Sequence, residues 1–362
     1  MHEYNVNDLV RVQVHPGVNP ILQRSIDFQL VGFRTDSSAA SAPLKIAVRP
    51  FGELPPIPQE TLFFNETRFI AGKESIDDAA GTAVISSTEG FEVFTDRADV
   101  LINLFLHLLL MPLGATIIHS AGVADDDGNV LLLAGSGGVG KTTLVGFLIN
   151  QRGFRFLGDD MVCVRADGTC LPFLRGVVLK GQHREIFPDH FQSTRRADAG
   201  RRVRWTMVNV IRENAPFVGF AKWLMKKMGW YAVAAQRIPE SPDLKWASPL
   251  GLFGPERIAS EGLISRAVHL TRYSGAVTKV SPLTREDLSN RLFSTIHHEV
   301  STILRPLMAF GAMEISDPME YFERTRDVIR SSLSAAEPVE MLIPAHMQVG
   351  ALPEEFITHC EL

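Results

Sequence analysis

The run Gly135-Ser136-Gly137-Gly138-Val139-Gly140-Lys141-Thr142 fits the pattern G-x-x-x-x-G-K-[ST] of a phosphate-binding loop. Its setting carries as much weight as the pattern. Val130-Leu131-Leu132-Leu133-Ala134 before it reads as a buried strand, and Lys141 to Asn150 after it reads as a helix. The glycines let the backbone wrap a polyphosphate with its N–H groups turned inward. The helix N-terminus adds orphan donors and the positive end of its dipole. In this arrangement Lys141 reaches the β- and γ-phosphates, the Thr142 hydroxyl contacts Mg²⁺, and Thr143 belongs to the same nucleotide-contacting set.

A phosphate loop by itself says only nucleoside triphosphate. The acidic pair Asp159-Asp160 says more. It lies eighteen residues beyond Lys141, the length of one helix and a return strand. Phe154 to Val164 reads as one strand with the pair in its first half. A carboxylate there can hold Mg²⁺, and its neighbour can take the proton of an acceptor hydroxyl. Neighbours on a strand point to opposite faces, so both reach the phosphates only if the chain bends at Gly158. His119 ends a strand ahead of Ser120-Ala121-Gly122. A parallel strand layout would set it beside the acidic pair, where it orients or partly protonates a carboxylate. A satisfied core histidine is the alternative. His297-His298-Glu299 lies mid-helix, where adjacent residues do not face one another, so no metal site is expected there.

Other phosphate-loop classes fit poorly. The chain has no LSGGQ-like signature of a transport ATPase and no N-K-x-D base-reading motif. A hydrophobic run ending in Asp-Glu is missing too. The formal net charge of −5 argues against nucleic acid as the main partner. Three cysteines, Cys163, Cys170 and Cys360, form neither a disulfide framework nor a zinc motif. The start Met1-His2-Glu3-Tyr4-Asn5 resembles no signal peptide, and a cytoplasmic protein is expected. Leu101 to Ile118 is nearly continuous in apolar residues, but Pro112 and Gly114 interrupt it. It reads as a buried helix to Met111 and then a strand from Ala115 to His119 rather than as a membrane span.

Away from the loop, residues 1–95 look β-rich. Leu44 to Arg49 alternates with period two, and two hairpins are expected, around Asn65-Glu66 and around Glu89-Gly90. This part contains no cluster suggesting chemistry and is read as a structural or substrate-facing cap. Past the acidic pair, a strand pair is expected around Cys170–Phe173 and Val177–Lys180, then a core strand from Leu263 to Leu270. Thr284-Arg285-Glu286-Asp287 fits a capping box opening a long helix, with Leu288, Leu292, Ile296, Val300, Ile303 and Leu307 on one face. Asp317-Pro318 opens a second helix, and Val339 to Pro344 reads as a strand.

Residues 181–249 differ in character. Arg195, Arg196, Arg201, Arg202 and Arg204 fall within ten residues, and Phe217, Phe220, Leu224, Met228 and Tyr231 then form a stripe at helical spacing. Three readings stand: a packed helix beside a solvated basic loop, a lid that guides an acidic acceptor, or a helix at an anionic membrane surface.

The order His119-Ser120-Ala121-Gly122-Val123, phosphate loop, Asp159-Asp160 resembles the catalytic domain of the HPr kinase/phosphorylase-like family. Leu252-Phe253-Gly254 and the strand ending Val268-His269-Leu270 are also similar to a segment of that family. The resemblance covers residues 97–182 and 250–290. It implies an α/β fold with a phosphoenolpyruvate carboxykinase-like P-loop core, here with an N-terminal β-rich domain and C-terminal helices. The expected division is 1–95, then a kinase core over 96–290 with 181–249 inserted, then 291–362. The resemblance further implies Asp159 as base for the acceptor hydroxyl and Asp160 as a Mg²⁺ contact. Leu174-Arg175-Gly176 is similar to a family Arg-Gly motif. Phe173, however, stands where the family has an acidic metal contact, so the match does not carry over the phosphorylase activity or HPr as acceptor. The expectation is an ATP- and Mg²⁺-dependent kinase acting on a hydroxyl of a peptide, protein or small molecule. Lys141, the metal and Arg175 or Lys180 would supply positive charge, with Arg201, Arg202 and Arg204 toward the acceptor. A nucleotide-binding regulatory protein without turnover is the rival reading, and the sequence is compatible with a homo-oligomer.

Overall fold

The computed structural model describes residues 1–35, 42–55, 62–64, 67–70, 74–77, 82–95, 102–191, 245–299, 307–308, 311 and 317–360. The chain divides into two compact units, Met1–Gly176 with Ser248–Leu362, and Val177–Ala247. It is a mixed α/β protein, with seven α-helices and two nine-stranded mixed sheets among the described residues.

The first sheet gathers the strands of the N-terminal region in the order β3-β1-β2-β4-β9-β8-β7-β6-β5. These are β1 (His2–Val6), β2 (Val10–Val14), β3 (Arg34–Thr35), β4 (Leu44–Arg49), β5 (Leu62–Phe64), β6 (Thr67–Ile70), β7 (Glu74–Asp77), β8 (Thr82–Ser87) and β9 (Gly90–Thr95). The β5–β6 pairing fits the first expected hairpin, whose turn residues Asn65-Glu66 lie outside the described set. The second turn is Thr88-Glu89, one residue earlier than expected. Gly90 already belongs to β9, because it passes so close to Lys45 that a Cβ would stand 1.9 Å from the Lys45 carbonyl oxygen. Helix α1 (Pro20–Leu30) was not anticipated, although Asn19-Pro20 is a readable start. The Asn19 side chain accepts from Ile21 N at 2.9 Å, and Leu22, Ile26 and Leu30 are buried.

Helix α2 (Ile102–Leu110) leads into the second sheet, and Gly114, with φ +66, ends its trailing turn. Then follow β10 (Ala115–Ile118), β11 (Ser120–Ala124), β12 (Asn129–Gly135), α3 (Lys141–Arg152), β13 (Arg155–Gly158), β14 (Val162–Arg165) and β15 (Thr169–Leu171). After α4 (Pro249–Phe253) come β18 (Gly262–Tyr273), β19 (Lys279–Pro282), α5 (Arg285–Glu299), α6 (Pro318–Ser332), β20 (Glu337–Pro344) and α7 (Leu352–Cys360). The main path is β10-β14-β15-β18-β12-β11-β13, and β20 pairs with both β18 and β19. Strand β12 is buried from Val130 onward, as a strand covered on both faces must be. It runs parallel to β18, which runs parallel to β20, whereas β11 is antiparallel to β12 and β13. Leu288, Leu292 and Ile296 of α5 and Ile329 and Leu333 pack on Val130, Leu132, Val162 and Val164. Thr284 Oγ1 accepts from Asp287 N at 3.0 Å, and Asp317 accepts from Met319 N at 2.8 Å, so both expected helix starts form. Val300 and Ile303 of the expected long helix lie outside the described residues. Among the described residues, no helix is long and apolar enough to cross a membrane.

Two readings are corrected here. Phe154 to Val164 is not one strand: β13 ends at Gly158, Asp159 and Asp160 form a bend, and β14 begins at Val162. The reason is a change of partner, since β13 pairs with β11 but β14 pairs with β10 and β15. The segments around Cys170 and Val177 likewise do not pair with each other. β15 joins β14 and β18, and β16 (Val177–Leu179) joins β17 (Lys245–Ala247) in the other unit.

In that second unit, Phe191 receives the cations of Arg184 and Lys245 over its ring at 5.6 and 5.5 Å. Arg195, Arg196, Arg201, Arg202, Arg204 and the stripe from Phe217 to Tyr231 lie outside the described residues.

Candidate active site

The phosphate loop joins β12 to α3 without an intervening element. Gly135, Gly138 and Gly140 have φ of +136, +81 and +117, a region that L side chains rarely adopt. Two of them also have no room for a Cβ. At Gly135 it would meet the Leu270 carbonyl oxygen at 2.4 Å, and at Gly140 it would meet Leu352 Cδ2 at 2.4 Å. The loop is therefore braced from behind by β18 and by the first residue of α7. Arg272 ties these parts together. Its Nη1 donates to the carbonyls of Pro344 and Met347, both at 3.0 Å, and its Nη2 to Val139 O at 3.4 Å. Sequence reading missed Arg272 and Leu352, because only the parallel pairing of β12, β18 and β20 brings them to the loop.

The same partner switch that splits β13 from β14 also splits β10 from β11. Ile118 pairs with Val162 across one arm of the sheet, and Gly122 pairs with Gly158 across the other. His119 and the acidic pair fall between these registers, in two bends that face each other. Antiparallel strands, not the expected parallel layout, bring them together. His119 Nδ1 stands 3.6 Å from Asp160 Oδ1. Its Nε2 stands 3.3 Å from Lys141 Nζ. An ammonium only donates, so Nε2 is the accepting nitrogen and Nδ1 carries the proton toward Asp160. Lys141 is 6% exposed and folds back on its own loop, donating to Gly135 O at 2.6 Å and Ser136 O at 3.2 Å.

The two carboxylates have different surroundings. Asp160 is ion-paired with Arg175 Nη1 and near His119. Asp159 Oδ2 accepts from Thr142 Oγ1 at 3.0 Å, while Asp159 Oδ1 is buried without a hydrogen-bond partner. Burial, and then the negative charge of Asp160, push the Asp159 carboxyl up to about 7. Thr142, Lys141 and Arg175 oppose that rise without cancelling it. Ser120 Oγ, Thr143 Oγ1 and Arg175 Nε are further buried polar atoms of this region with no protein partner. Phe173, where an acid was expected by resemblance, is a core residue, 1% exposed and edge-on to Phe33 at 5.8 Å. Phe253 of the Leu252-Phe253-Gly254 segment stacks on Phe156 of β13 at 5.2 Å. Lys180 is exposed and belongs to the Val177–Ala247 unit.

A cation fits this arrangement. The Thr142 hydroxyl meets the Asp159 carboxylate, Asp159 Oδ1 is buried without a hydrogen-bond partner, and Asp160 is the next residue along the bend. Among the described residues no three or more His, Cys, Asp or Glu side chains form an all-protein metal cage.

No protein-family model matches the chain, and no curated protein matches it.

Proposed function

We propose that the chain is an ATP- and Mg²⁺-dependent kinase that transfers the γ-phosphoryl group to a hydroxyl, with a phosphoenolpyruvate carboxykinase-like P-loop core of the HPr-kinase-like kind. The observation that carries the reading is the convergence of Thr142 of the phosphate loop on Asp159 of the acidic bend, with Lys141, His119, Asp160 and Arg175 around them. The raised proton affinity of the buried Asp159 carboxyl favours the kinase reading over the regulatory one, because it suits a group that accepts the proton of a hydroxyl.

In this mechanism the loop amides and Lys141 bind the phosphates, which requires Lys141 to leave the Gly135 and Ser136 carbonyls. Thr142 and Asp160 would hold Mg²⁺, which would supply neutralising charge at the phosphates. Asp159 takes the acceptor proton on its free Oδ1. Asp160, held by Arg175 and His119, keeps Asp159 basic through its negative charge. Arg175 then faces the transferring group as a fixed cation. The Thr142–Asp159 contact also allows the converse division, with Asp159 as the metal contact. The acceptor is proposed to be a peptide or protein hydroxyl, with a small metabolite as the second candidate. Incubation with γ-labelled ATP and a panel of hydroxyl acceptors tests the reading. Label transfer that is lost in Asp159→Asn supports it, and tight ATP binding without transfer to any acceptor would point to the regulatory alternative.

A further inference from the structure

The N-terminal region is wired into the site through the segment Pro172 to Gly176. Three hydrogen bonds grip that segment by its backbone. Asn7 Nδ2 donates to Pro172 O at 2.9 Å, Gly32 N to Leu174 O at 3.0 Å, and Gly176 N to Phe28 O at 2.7 Å. The approach is close enough to demand glycine on both sides. A Cβ on Gly32 would lie 2.3 Å from Leu174 Cβ, and one on Gly176 would lie 2.5 Å from the Phe28 ring. Between these contacts Arg175 projects toward Asp160, with its guanidinium carbon 5.2 Å from the centre of the Phe28 ring. The turn of α1 that carries Phe28 is tied to β1, because the fully buried Tyr4 hydrogen-bonds Asp27, one residue before it.

We infer that Phe28 is a positioning residue for Arg175, and that the N-terminal α/β region completes the kinase site rather than merely capping it; this rests on the kinase reading above. An aromatic face under a guanidinium holds the plane of the fork while leaving its N–H groups for a carboxylate. Arg175 holds Asp160 through Nη1, so the terminal nitrogens of the fork, rather than its buried Nε, retain N–H groups for a phosphoryl oxygen. A cation on a transferring phosphoryl group is useful only if its position is set in advance.

Phe28→Leu keeps apolar volume and removes the ring face. Two readouts separate positioning from bulk stability. The first is phosphoryl transfer, where kcat is expected to fall by about tenfold or more with ATP affinity unchanged, since misplacing a catalytic group acts on the chemical step. The second needs no turnover: modification of Arg175 by an arylglyoxal, followed by peptide mass spectrometry, is expected to run several-fold faster. Phe28→Tyr, which keeps the ring face, should restore both. Gly32→Ala offers a second route if Phe28→Leu folds poorly, because it displaces Leu174 with Phe28 intact and should give the same pair of changes. A folded Phe28→Leu or Gly32→Ala protein with unaltered kcat and unaltered Arg175 reactivity overturns the inference. If the native chain transfers no phosphoryl group at all, the kinase reading fails, and the modification rate alone still decides whether Phe28 holds Arg175.

Discussion

Thr142 Oγ1 donates to Asp159 Oδ2 at 3.0 Å, joining the first turn of the helix behind the phosphate loop to the bend between two strands that belong to different arms of the sheet. This bond places an acidic group where the loop would present a metal and a γ-phosphate.

Replacing Lys141 by Ala should weaken ATP binding by at least ~10-fold and abolish turnover, since the cation that now rests on Gly135 O and Ser136 O is the one freed to meet the phosphates. Isothermal calorimetry measures the first effect, and an unchanged Kd would remove the phosphate-loop reading.

Asp159 gives a pH prediction of defined sign. Its carboxyl lies at about 7 in the folded protein against the ordinary 3.8, so the fold holds this proton more tightly than the unfolded chain does. The resulting stability is fully present below the unfolded value and is lost as pH rises through about 7. Asp159→Asn should therefore raise Tm relative to the native chain at pH 8, with the difference closing at low pH. The same substitution should lower phosphoryl transfer by about 10²-fold or more, the usual cost of removing a positioned base. Were Asp159 the metal contact instead, the main change would be a higher Mg²⁺ requirement.

The rate of native transfer, read as kcat/KM, should fall below about pH 7 as Asp159 protonates in the free enzyme. Asp160→Asn removes the neighbouring negative charge and should move that limb to lower pH. A limb that stays in place would show that Asp159 is not the titrating base.

His119 connects Lys141 to Asp160 and is 7% exposed. His119→Ala should lower turnover and alter its pH profile while the core stays folded. Loss of Tm with full specific activity of the remaining folded protein would make it a packing residue only.

Gly140 carries two separable constraints, φ of +117 and the contact with Leu352. Gly140→Ala should destabilise the protein by about 1–3 kcal/mol and weaken ATP binding, as strain and overpacking do. Adding Leu352→Ala makes room for the methyl group but leaves the backbone strain. The double variant should therefore regain only part of the ATP affinity, and full recovery would show that the backbone conformation is not needed.

The local structure of this protein was legible in the sequence where it depends on neighbours along the chain. The strand–loop–helix unit, its glycines, Lys141 and Thr142, the caps at Thr284 and Asp317, and the strand at Val339 to Pro344 are local patterns, set by side-chain period and by which residues tolerate positive φ. The acidic pair was visible as residues but not as geometry. Its orientation comes from the exchange of strand partners at Gly158, a decision between non-local pairings that no single window of sequence encodes. That exchange turns Asp159 to Thr142 and Asp160 to Arg175, and a matching exchange after Ile118 sets His119 against both the pair and Lys141. Arg272, Leu352 and Phe28 carry no motif, and folding alone brings them to the loop and to Arg175. Sequence period determines which elements form; the burial of one continuous sheet determines which of their ends meet.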